Sequence, residues 1–185
     1  VIYGIFKRLT KNGLIICFMF FQRTSPIRLL YVFVFWGLFS ACQEKPRISG
    51  EITIISNELS TVQEYINLFP NKVVYVDVWA SWCGPCLREM PHSLKLQDHY
   101  KDKDVVFLYL SVDENEKRWK QTVKAKHISG QHKLANSKLV SDLESTYALD
   151  GIPRYLLFDK NRKLIDEKAP RPSDLIVKSA IDKNL

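Results

Sequence analysis

Two strongly apolar runs constrain the fold of this chain more than any other feature. They are "KVVYVDVW", Lys72–Trp79, and "VVFLYLSV", Val105–Val112, and both are rich in β-branched and aromatic residues. Because both faces of each run are apolar, the pattern indicates central strands that are covered on two sides. Helical patterns separate the strands along the chain, so we predict an α/β domain with a mainly parallel centre flanked by helices.

Shorter elements complete this pattern. Further strands are predicted at Glu51–Ile55, Tyr155–Asp159 and Lys163–Asp166, and helices at Thr61–Phe69, Cys86–Tyr100, Glu116–Lys126, Lys138–Tyr147 and Ser173–Ile181. Ser60 and Gln63 form a plausible capping box for the first helix. The last two strands flank a short polar turn, so we expect them to form an antiparallel hairpin at one edge of the sheet.

The charge of the chain does not indicate a nucleic-acid partner. The 185 residues carry a formal net charge of +7, and a chain of this length fits one domain plus an extension. Residues 1–42 hold five basic and no acidic side chains, which leaves only +2 for the remainder. Elsewhere basic and acidic residues are interspersed, as on a solvated surface, so we expect no nucleic-acid binding.

The first 42 residues resemble an export signal. "LLYVFVFWGLF", Leu29–Phe39, is an uncharged run of 11 residues that follows Arg23 and Arg28 and precedes the small residues before Cys42. This layout is typical of a secretory signal, and a membrane-spanning helix needs about 20 residues. The ending "LFSAC" resembles the lipobox of bacterial lipoproteins, which implies that Cys42 is lipidated and becomes the mature N-terminus. An uncleaved signal anchor or a plain secreted chain is the alternative.

A second short apolar run, Leu14–Phe18, lies ahead of the first methionine, Met19. Because a complete signal follows Met19, we hypothesise that translation starts there and that Cys17 is never made. The chain then divides into a leader at 1–42, a tether at 43–50 and a folded domain at 51–185. The tether, "QEKPRISG", is polar and contains proline and glycine, as expected of a linker that holds a domain off a membrane.

Cys83 and Cys86 lie where the strand ending at Trp79 gives way to a predicted helix. The first amides of that helix and the positive end of its dipole would point at Cys83 and favour the thiolate, which is the nucleophilic form. Pro85 suits a first helical turn, and Gly84 lets a substrate backbone approach. Cys86 is within disulfide reach, so we predict that Cys83 attacks a foreign disulfide and that Cys86 resolves the mixed disulfide.

Two other interpretations of the cysteine pair are weaker. A structural zinc site needs four ligands, and the downstream histidines, His92 and His99, match no common zinc-finger spacing. We therefore expect no metal. An inert structural disulfide across so short a loop would constrain the unfolded chain very little, so stabilisation is a poor reason for the pair.

The segment "VDVWASWCGPC", Val76–Cys86, resembles the active site of the thioredoxin superfamily, and "CGPCLREMP" is similar to its TlpA-like extracytoplasmic branch. The resemblance spans about residues 50–183. It implies a thioredoxin-like fold with a central mixed sheet and an inserted element at 114–136, after the central strand. It also implies that the Ile152–Pro153 peptide bond is cis and that Pro153 faces the cysteine pair. We expect Trp82, Gly84, Pro85 and Ile152 to contact substrate.

Two acidic residues are candidates for moving the proton of Cys86. Asp77 lies in an otherwise apolar strand, where burial disfavours its charged form and raises its pKa. Thioredoxins carry an aspartate at the matching place, which implies proton transfer to and from the second cysteine. Glu89 follows Cys86 by three residues, and TlpA-like proteins use the matching glutamate similarly. A hydrogen-bonded structural acid is the alternative for Asp77, and a solvated helix residue paired with a lysine or arginine is the alternative for Glu89. The choice between the two acids stays open.

These features predict an extracytoplasmic thiol-disulfide oxidoreductase that acts on protein thiols and disulfides. Its only redox group would be the disulfide between Cys83 and Cys86, without a further cofactor. The Gly-Pro dipeptide between the cysteines resembles that of reducing thioredoxins, which favours disulfide reduction and implies a membrane electron donor in an oxidising compartment. The alternatives are a thiol peroxidase and a lipid-anchored thioredoxin-fold binding module.

Overall fold

The structure is a computed structural model in which residues 50–185 are described. Six strands occur in this range: β1 Ile52–Ile54, β2 Val73–Trp79, β3 Val105–Ser111, β4 Gly130–Leu134, β5 Arg154–Phe158 and β6 Leu164–Asp166. Five helices accompany them: α1 Val62–Ile66, α2 Gly84–Tyr100, α3 Glu116–Ala125, α4 Ser137–Thr146 and α5 Val177–Asp182. The leader, Cys17, Met19 and Cys42 lie outside the described residues, as does all of the tether except Gly50.

The strands form one mixed sheet in the order β1-β4-β3-β2-β5-β6. The first four strands of this order are parallel neighbours, whereas β5 pairs antiparallel with both β2 and β6. This arrangement confirms the predicted parallel centre, the edge hairpin and the thioredoxin-like fold class.

Strand β2 is buried at all seven positions. One face of the sheet packs against α2, α3 and α5 in a cluster that includes both active-site cysteines. The other face packs against α1 and α4. Because alternate side chains of a strand point to opposite faces, an apolar run without alternation is what a strand between two helical layers requires.

The capping box of α1 lies one residue further along the chain than predicted. Thr61, not Ser60, is the N-cap, and its hydroxyl accepts a hydrogen bond from the Glu64 backbone N–H at 3.2 Å. The Glu64 carboxylate in turn accepts from the backbone N–H of Thr61 at 3.0 Å. A carboxylate accepts more strongly than the Gln63 amide oxygen because it is charged, which explains the shifted register.

Strand β4 was not predicted, because its sequence "GQHKL" is polar. Two of its polar side chains are nevertheless buried and have partners elsewhere in the fold. The His132 ring stacks on Tyr109 and its Nε2 donates to the Ile128 carbonyl at 2.8 Å. The Lys133 ammonium lies 2.7 Å from the Glu58 carboxylate. The insertion predicted at 114–136 therefore consists of α3 and of a strand that enters the sheet between β1 and β3.

Helix boundaries also differ from the predictions at two places that matter for the site. Helix α2 begins at Gly84 rather than at Cys86, which makes Cys83 its N-cap. Helix α5 begins at Val177 rather than at Ser173. The residues from Ser173 to Ile176 therefore precede α5 as a separate segment, which can contact the outer side of α2. Within the described part of the chain, no helix combines the length and apolar character that crossing a bilayer requires.

Candidate active site

The cysteine pair lies at the start of α2, one short turn after β2. Cys83 and Cys86 are joined by a disulfide, and the Cys83 sulfur accepts a hydrogen bond from the Cys86 backbone N–H at 3.2 Å. Cys83 is 4% exposed and Cys86 is fully buried. The first cysteine therefore meets the free amides of the helix, which stabilise negative charge on its sulfur, while the second is shielded from solvent.

Three exposed residues, Trp82, Gly84 and Pro85, form a rim beside the cysteine pair. Trp82 is 57% exposed, and Gly84 and Pro85 are exposed beside it. The Ile152–Pro153 peptide bond is cis, as predicted. Because Arg154 pairs with Val78 in the antiparallel register, Pro153 lies level with the end of β2, from which the chain turns toward Cys83. The structure thus brings all the predicted substrate-contacting residues to one end of the sheet.

Asp77 is buried on β2 between Tyr75 and Trp79, whose side chains belong to the same core cluster as both cysteines. It is 2% exposed, and neither of its carboxyl oxygens has a hydrogen-bond partner among the described residues. Tyr109 of β3 and Tyr155 of β5 are its neighbours across the sheet. Burial raises the pKa of Asp77 well above its ordinary value of 3.8, and the charge of Glu89 raises it further. The structural alternative for Asp77, a hydrogen-bonded acid, does not match this environment.

Glu89 lies closer to the surface on the same helix as the cysteines. It is half-buried, and its carboxylate accepts two hydrogen bonds from Ser173, from the backbone N–H at 3.1 Å and from the hydroxyl at 3.0 Å. Among residues 50–185, no lysine or arginine forms an ion pair with Glu89 within 4.0 Å, so this part of the chain does not contain the predicted helix ion pair. Glu89 instead links α2 to the segment before α5.

Asp113 is a site residue that the sequence interpretation missed. It is buried after β3, and its carboxylate accepts hydrogen bonds from the Ser81 backbone N–H at 2.8 Å and from the Ser81 hydroxyl at 2.6 Å. The Ser111 hydroxyl donates to it as well, at 2.7 Å. Because Ser81 is two residues before Cys83, Asp113 holds the turn that carries Cys83. Only the parallel pairing of β2 and β3 brings Asp113 to this turn.

Arg154 is a second residue that the sequence interpretation left without a role. Its buried guanidinium donates to the carbonyls of Tyr147 and Ala148, each at 3.2 Å, and contacts the Asp150 carboxylate. These carbonyls end helix α4 and have no helical partners of their own. Arg154 therefore stabilises the loop that leads to the cis-proline and does not point toward the cysteines.

No metal cluster competes with the disulfide for this site. Among residues 50–185, no group of three or more histidine, cysteine or acidic side chains is arranged to hold a metal ion. His92 and His99, the histidines considered as zinc ligands, are exposed on α2.

The Redoxin family profile matches residues 51–183. The chain belongs to the Redoxin family. Thiol-disulfide oxidoreductase ResA of Bacillus cereus is 29% identical over 135 residues, which make up 72% of this chain and 76% of that relative. A thioredoxin of Chlorobaculum thiosulfatiphilum is 32% identical over 116 residues, 62% of this chain and 82% of the relative.

The fold of this Redoxin-family protein is also that of solved structures. The crystal structure of a candidate thiol-disulfide oxidoreductase from Bacteroides vulgatus superposes with a TM-score of 0.57 at 38% identity, covering 63% of this chain and 81% of that one. Together with the Cys83–Cys86 disulfide, these likenesses confirm the predicted family, a TlpA-like member of the thioredoxin superfamily. They also confirm the predicted reaction class: the protein is a thiol-disulfide oxidoreductase that works by dithiol-disulfide exchange.

The Asp113 carboxylate should be required for the turn before Cys83. We expect Asp113→Ala to lower the free energy of unfolding by about 2 kcal/mol, because it leaves buried donors of Ser81 and Ser111 without an acceptor. Urea unfolding of the disulfide form measures this loss. Asp113→Asn should recover part of it, since its amide oxygen still accepts. The exposed neighbour Glu114 provides the control: equal losses for Glu114→Ala and Asp113→Ala would contradict the assigned contact.

The buried Asp77 should make stability depend on pH. A carboxyl whose pKa is raised by folding binds its proton more tightly in the folded state, so its contribution to stability is lost as pH rises from 3.8 toward the raised value. We therefore expect Asp77→Asn to gain stability relative to the native protein as pH increases. Urea unfolding of both disulfide forms at acidic, neutral and alkaline pH tests this; a constant difference between them would contradict it.

Proposed function

We propose that the protein reduces disulfide bonds of extracytoplasmic proteins, with Cys83 as the nucleophile and Cys86 as the resolving cysteine. The observation that carries this proposal is the unequal environment of the two sulfurs. Cys83 lies at the helix N-terminus beside an exposed rim, whereas Cys86 is fully buried on the side of the sheet that also carries Asp77, an acid with a raised pKa. Only the first can meet a protein substrate, and only the second has an internal proton acceptor.

The reaction proceeds in two exchanges. The Cys83 thiolate attacks one sulfur of the substrate disulfide, forms a new sulfur–sulfur bond and expels the other substrate sulfur as a thiolate. Cys86 then gives its proton to the Asp77 carboxylate, and its sulfur attacks Cys83. This second attack breaks the mixed disulfide and releases the remaining substrate sulfur as a thiolate. Two electrons pass from the cysteine pair to the substrate, and the protein is left as the disulfide that the structure contains.

The rim residues and the cis-proline loop support recognition of an extended protein substrate. Trp82 offers an apolar surface. A Cβ added at Gly84 would meet the Arg88 guanidinium at 3.7 Å and no other side chain of residues 50–185 within 4 Å. A polypeptide can therefore lie across the start of α2 without meeting a side chain at Gly84. Ile152 packs against the same core cluster as the cysteines and would bound the groove from the other side.

Reduction is the direction that we propose, on the basis of the two residues between the cysteines. The Gly-Pro pair of the reducing thioredoxins supports the interpretation as a reductase. In an oxidising compartment the cysteine pair must be returned to the dithiol by a donor of two electrons, and a membrane thiol-disulfide carrier has the required chemistry. That carrier would reach the same exposed rim, since the buried Cys86 is accessible only through Cys83.

We further propose that the protein is tethered to a membrane on the outer, periplasmic side by a lipid on Cys42, the leaflet being left open. The support is the order of basic residues, apolar run and small residues before Cys42, followed by a polar tether. A spacer between lipid and enzyme would leave the rim around Cys83 free to meet other proteins.

Trapping tests the roles of the two cysteines. We expect Cys86→Ser to accumulate a covalent adduct with its substrate on Cys83, because the mixed disulfide can no longer be resolved. Non-reducing electrophoresis and mass spectrometry of the adduct would identify the substrate. Cys83→Ser is the matched control and should trap nothing.

Turnover separates this proposal from its alternatives. The native protein should reduce insulin disulfides with dithiothreitol as electron source. Consumption of hydrogen peroxide without insulin reduction would point to a peroxidase instead. If Cys83 still reacts with a thiol reagent but the protein neither reduces insulin nor consumes hydrogen peroxide, the result would point to a binding module.

Fatty-acid labelling tests the anchor. In cells that process lipoproteins, the native precursor should incorporate labelled fatty acid and fractionate with membranes, and Cys42→Ala should lose the label because it lacks the acceptor sulfur. The matched control is Cys17→Ala, which we expect to retain the label. Labelling of Cys42→Ala equal to that of the native protein would rule the anchor out.

A further inference from the structure

Two adjacent apolar side chains, Leu175 and Ile176, are exposed in the segment before α5, and we call them the apolar ridge. Leu175 is 99% exposed and Ile176 is 65% exposed. Within residues 50–185, Leu175 has the highest exposed fraction of the large apolar side chains. Pro172 and Val177, on either side of the ridge, are buried. A single exposed apolar residue is common on protein surfaces, whereas two in a row between buried anchors favour contact with an apolar environment.

Contacts on both sides hold the apolar ridge in solvent. The Tyr75 hydroxyl donates to the Pro170 carbonyl at 2.6 Å, and Ser173 donates two hydrogen bonds to the Glu89 carboxylate. After the ridge, Val177 packs in the core cluster that contains both cysteines. Because the segment is fixed at three points around the ridge, the two side chains do not fold back against the domain.

The tether meets the domain on the side of the sheet that carries the apolar ridge. Gly50 is the last residue of the tether, and a Cβ added to it would lie 3.8 Å from the side-chain oxygen of Gln97 on α2. Tyr100 lies one turn further along α2, and its hydroxyl donates to the Lys178 carbonyl of α5 at 3.1 Å. Lys178 follows the ridge by two residues. A line of neighbouring residues therefore joins the end of the tether to the ridge through α2 and α5.

The length of the tether keeps this side of the domain near the proposed lipid. Gly50 follows Cys42 by eight residues, and eight residues span at most about 29 Å when fully extended. A bilayer that holds a lipid on Cys42 is therefore within reach of the side of the domain at which Gly50 enters. Since the apolar ridge shares that side, the bilayer is an apolar environment that the ridge can reach.

We propose that the apolar ridge docks the protein on the bilayer that holds its lipid, a proposal that rests on the proposed anchor at Cys42. Arg171 and Lys178 flank the ridge, and both are exposed. Long basic side chains place their charges at phosphate headgroups while neighbouring apolar side chains enter the boundary of the acyl chains. Asp174, the one acid between the two cations, accepts a hydrogen bond from the Arg171 backbone N–H at 2.9 Å, so its charge is partly satisfied within the segment.

Docking of the ridge orients the active site. Ser173, two residues before Leu175, is bonded to Glu89 on the helix that begins at the cysteine pair. A ridge held on the bilayer therefore fixes the direction of α2 relative to the lipid, which a tether alone would not do. The rim beside Cys83 is then kept at a constant height above the surface, where a membrane thiol-disulfide carrier can meet it.

A tryptophan introduced in the ridge tests this contact. The protein carrying its lipid is reconstituted in vesicles of phosphatidylcholine and phosphatidylglycerol whose acyl chains carry bromine, which quenches tryptophan fluorescence only at short range. Brominated vesicles should quench the fluorescence that Leu175→Trp adds to the native signal by at least about twofold relative to vesicles without bromine. Ile176→Trp is a second reporter and should behave in the same way. Leu68→Trp is the matched control and should not be quenched, because Leu68 is an exposed leucine just after α1, on the opposite face of the sheet.

Replacing the flanking cations tests the contact with headgroups. Leu175→Trp combined with Arg171→Gln and Lys178→Gln should lose about half of its quenching, because the attraction to anionic lipid is removed. Arg162→Gln with Lys163→Gln is the matched control, since it removes the same two charges from the turn between β5 and β6. Equal losses in the two combinations would mean that the net charge of the protein acts, which contradicts the role given to the cations beside the ridge.

The docking and the anchor can fail separately. If Leu175→Trp and Ile176→Trp are quenched no more than Leu68→Trp, in proteins that carry the lipid and reduce insulin at the native rate, the docking is overturned. The anchor and the activity would then stand, and the ridge would fit a protein partner instead. A native protein that incorporates no fatty acid at Cys42 would reject the anchor, and this docking with it.

Discussion

The complete burial of strand β2 is the constraint on which the rest of the structure depends. A strand with both faces covered must have helices on either side, which sets the three-layer arrangement and places α2 directly over the sheet. The strand ends at Trp79, and the next two residues, Ala80 and Ser81, are also buried. The turn that follows is held by Asp113 from the neighbouring strand, so Cys83 reaches the helix N-terminus in a defined position.

The same burial accounts for the chemistry under the disulfide. Water would hold Asp77 ionised near its ordinary pKa, but the sheet and α2 exclude water and favour the protonated acid. A change in the charge of the cysteine pair then acts on the Asp77 carboxyl, which is enclosed and does not exchange its proton freely with water. Tyr109 and Tyr155 flank that group on the two neighbouring strands. A buried acid without hydrogen-bond partners is costly to fold, and the proposed transfer of the Cys86 proton to Asp77 would give that cost a functional reason.

Several features could be predicted from sequence because they depend on residues close together in the chain. The central strands follow from unbroken β-branched and aromatic runs, and the cysteine pair follows from two residues at helical spacing after a strand. Strand β4 could not be predicted, because its buried His132 and Lys133 are stabilised by Tyr109 and Glu58. A polar segment becomes a strand when distant residues satisfy its side chains, and no local pattern reports that.

By itself the sequence determined the fold class, the reactive pair and the presence of a buried acid, since hydrophobic periodicity and short-range helix geometry suffice for these. Only the tertiary structure decided which groups meet. The register of β2 with β5 places Tyr155 beside Asp77, and the late start of α5 lets Ser173 bind Glu89. These contacts join residues about eighty positions apart. They are decided by strand order and helix packing, and a one-residue change of register would turn Tyr155 to the opposite face of the sheet.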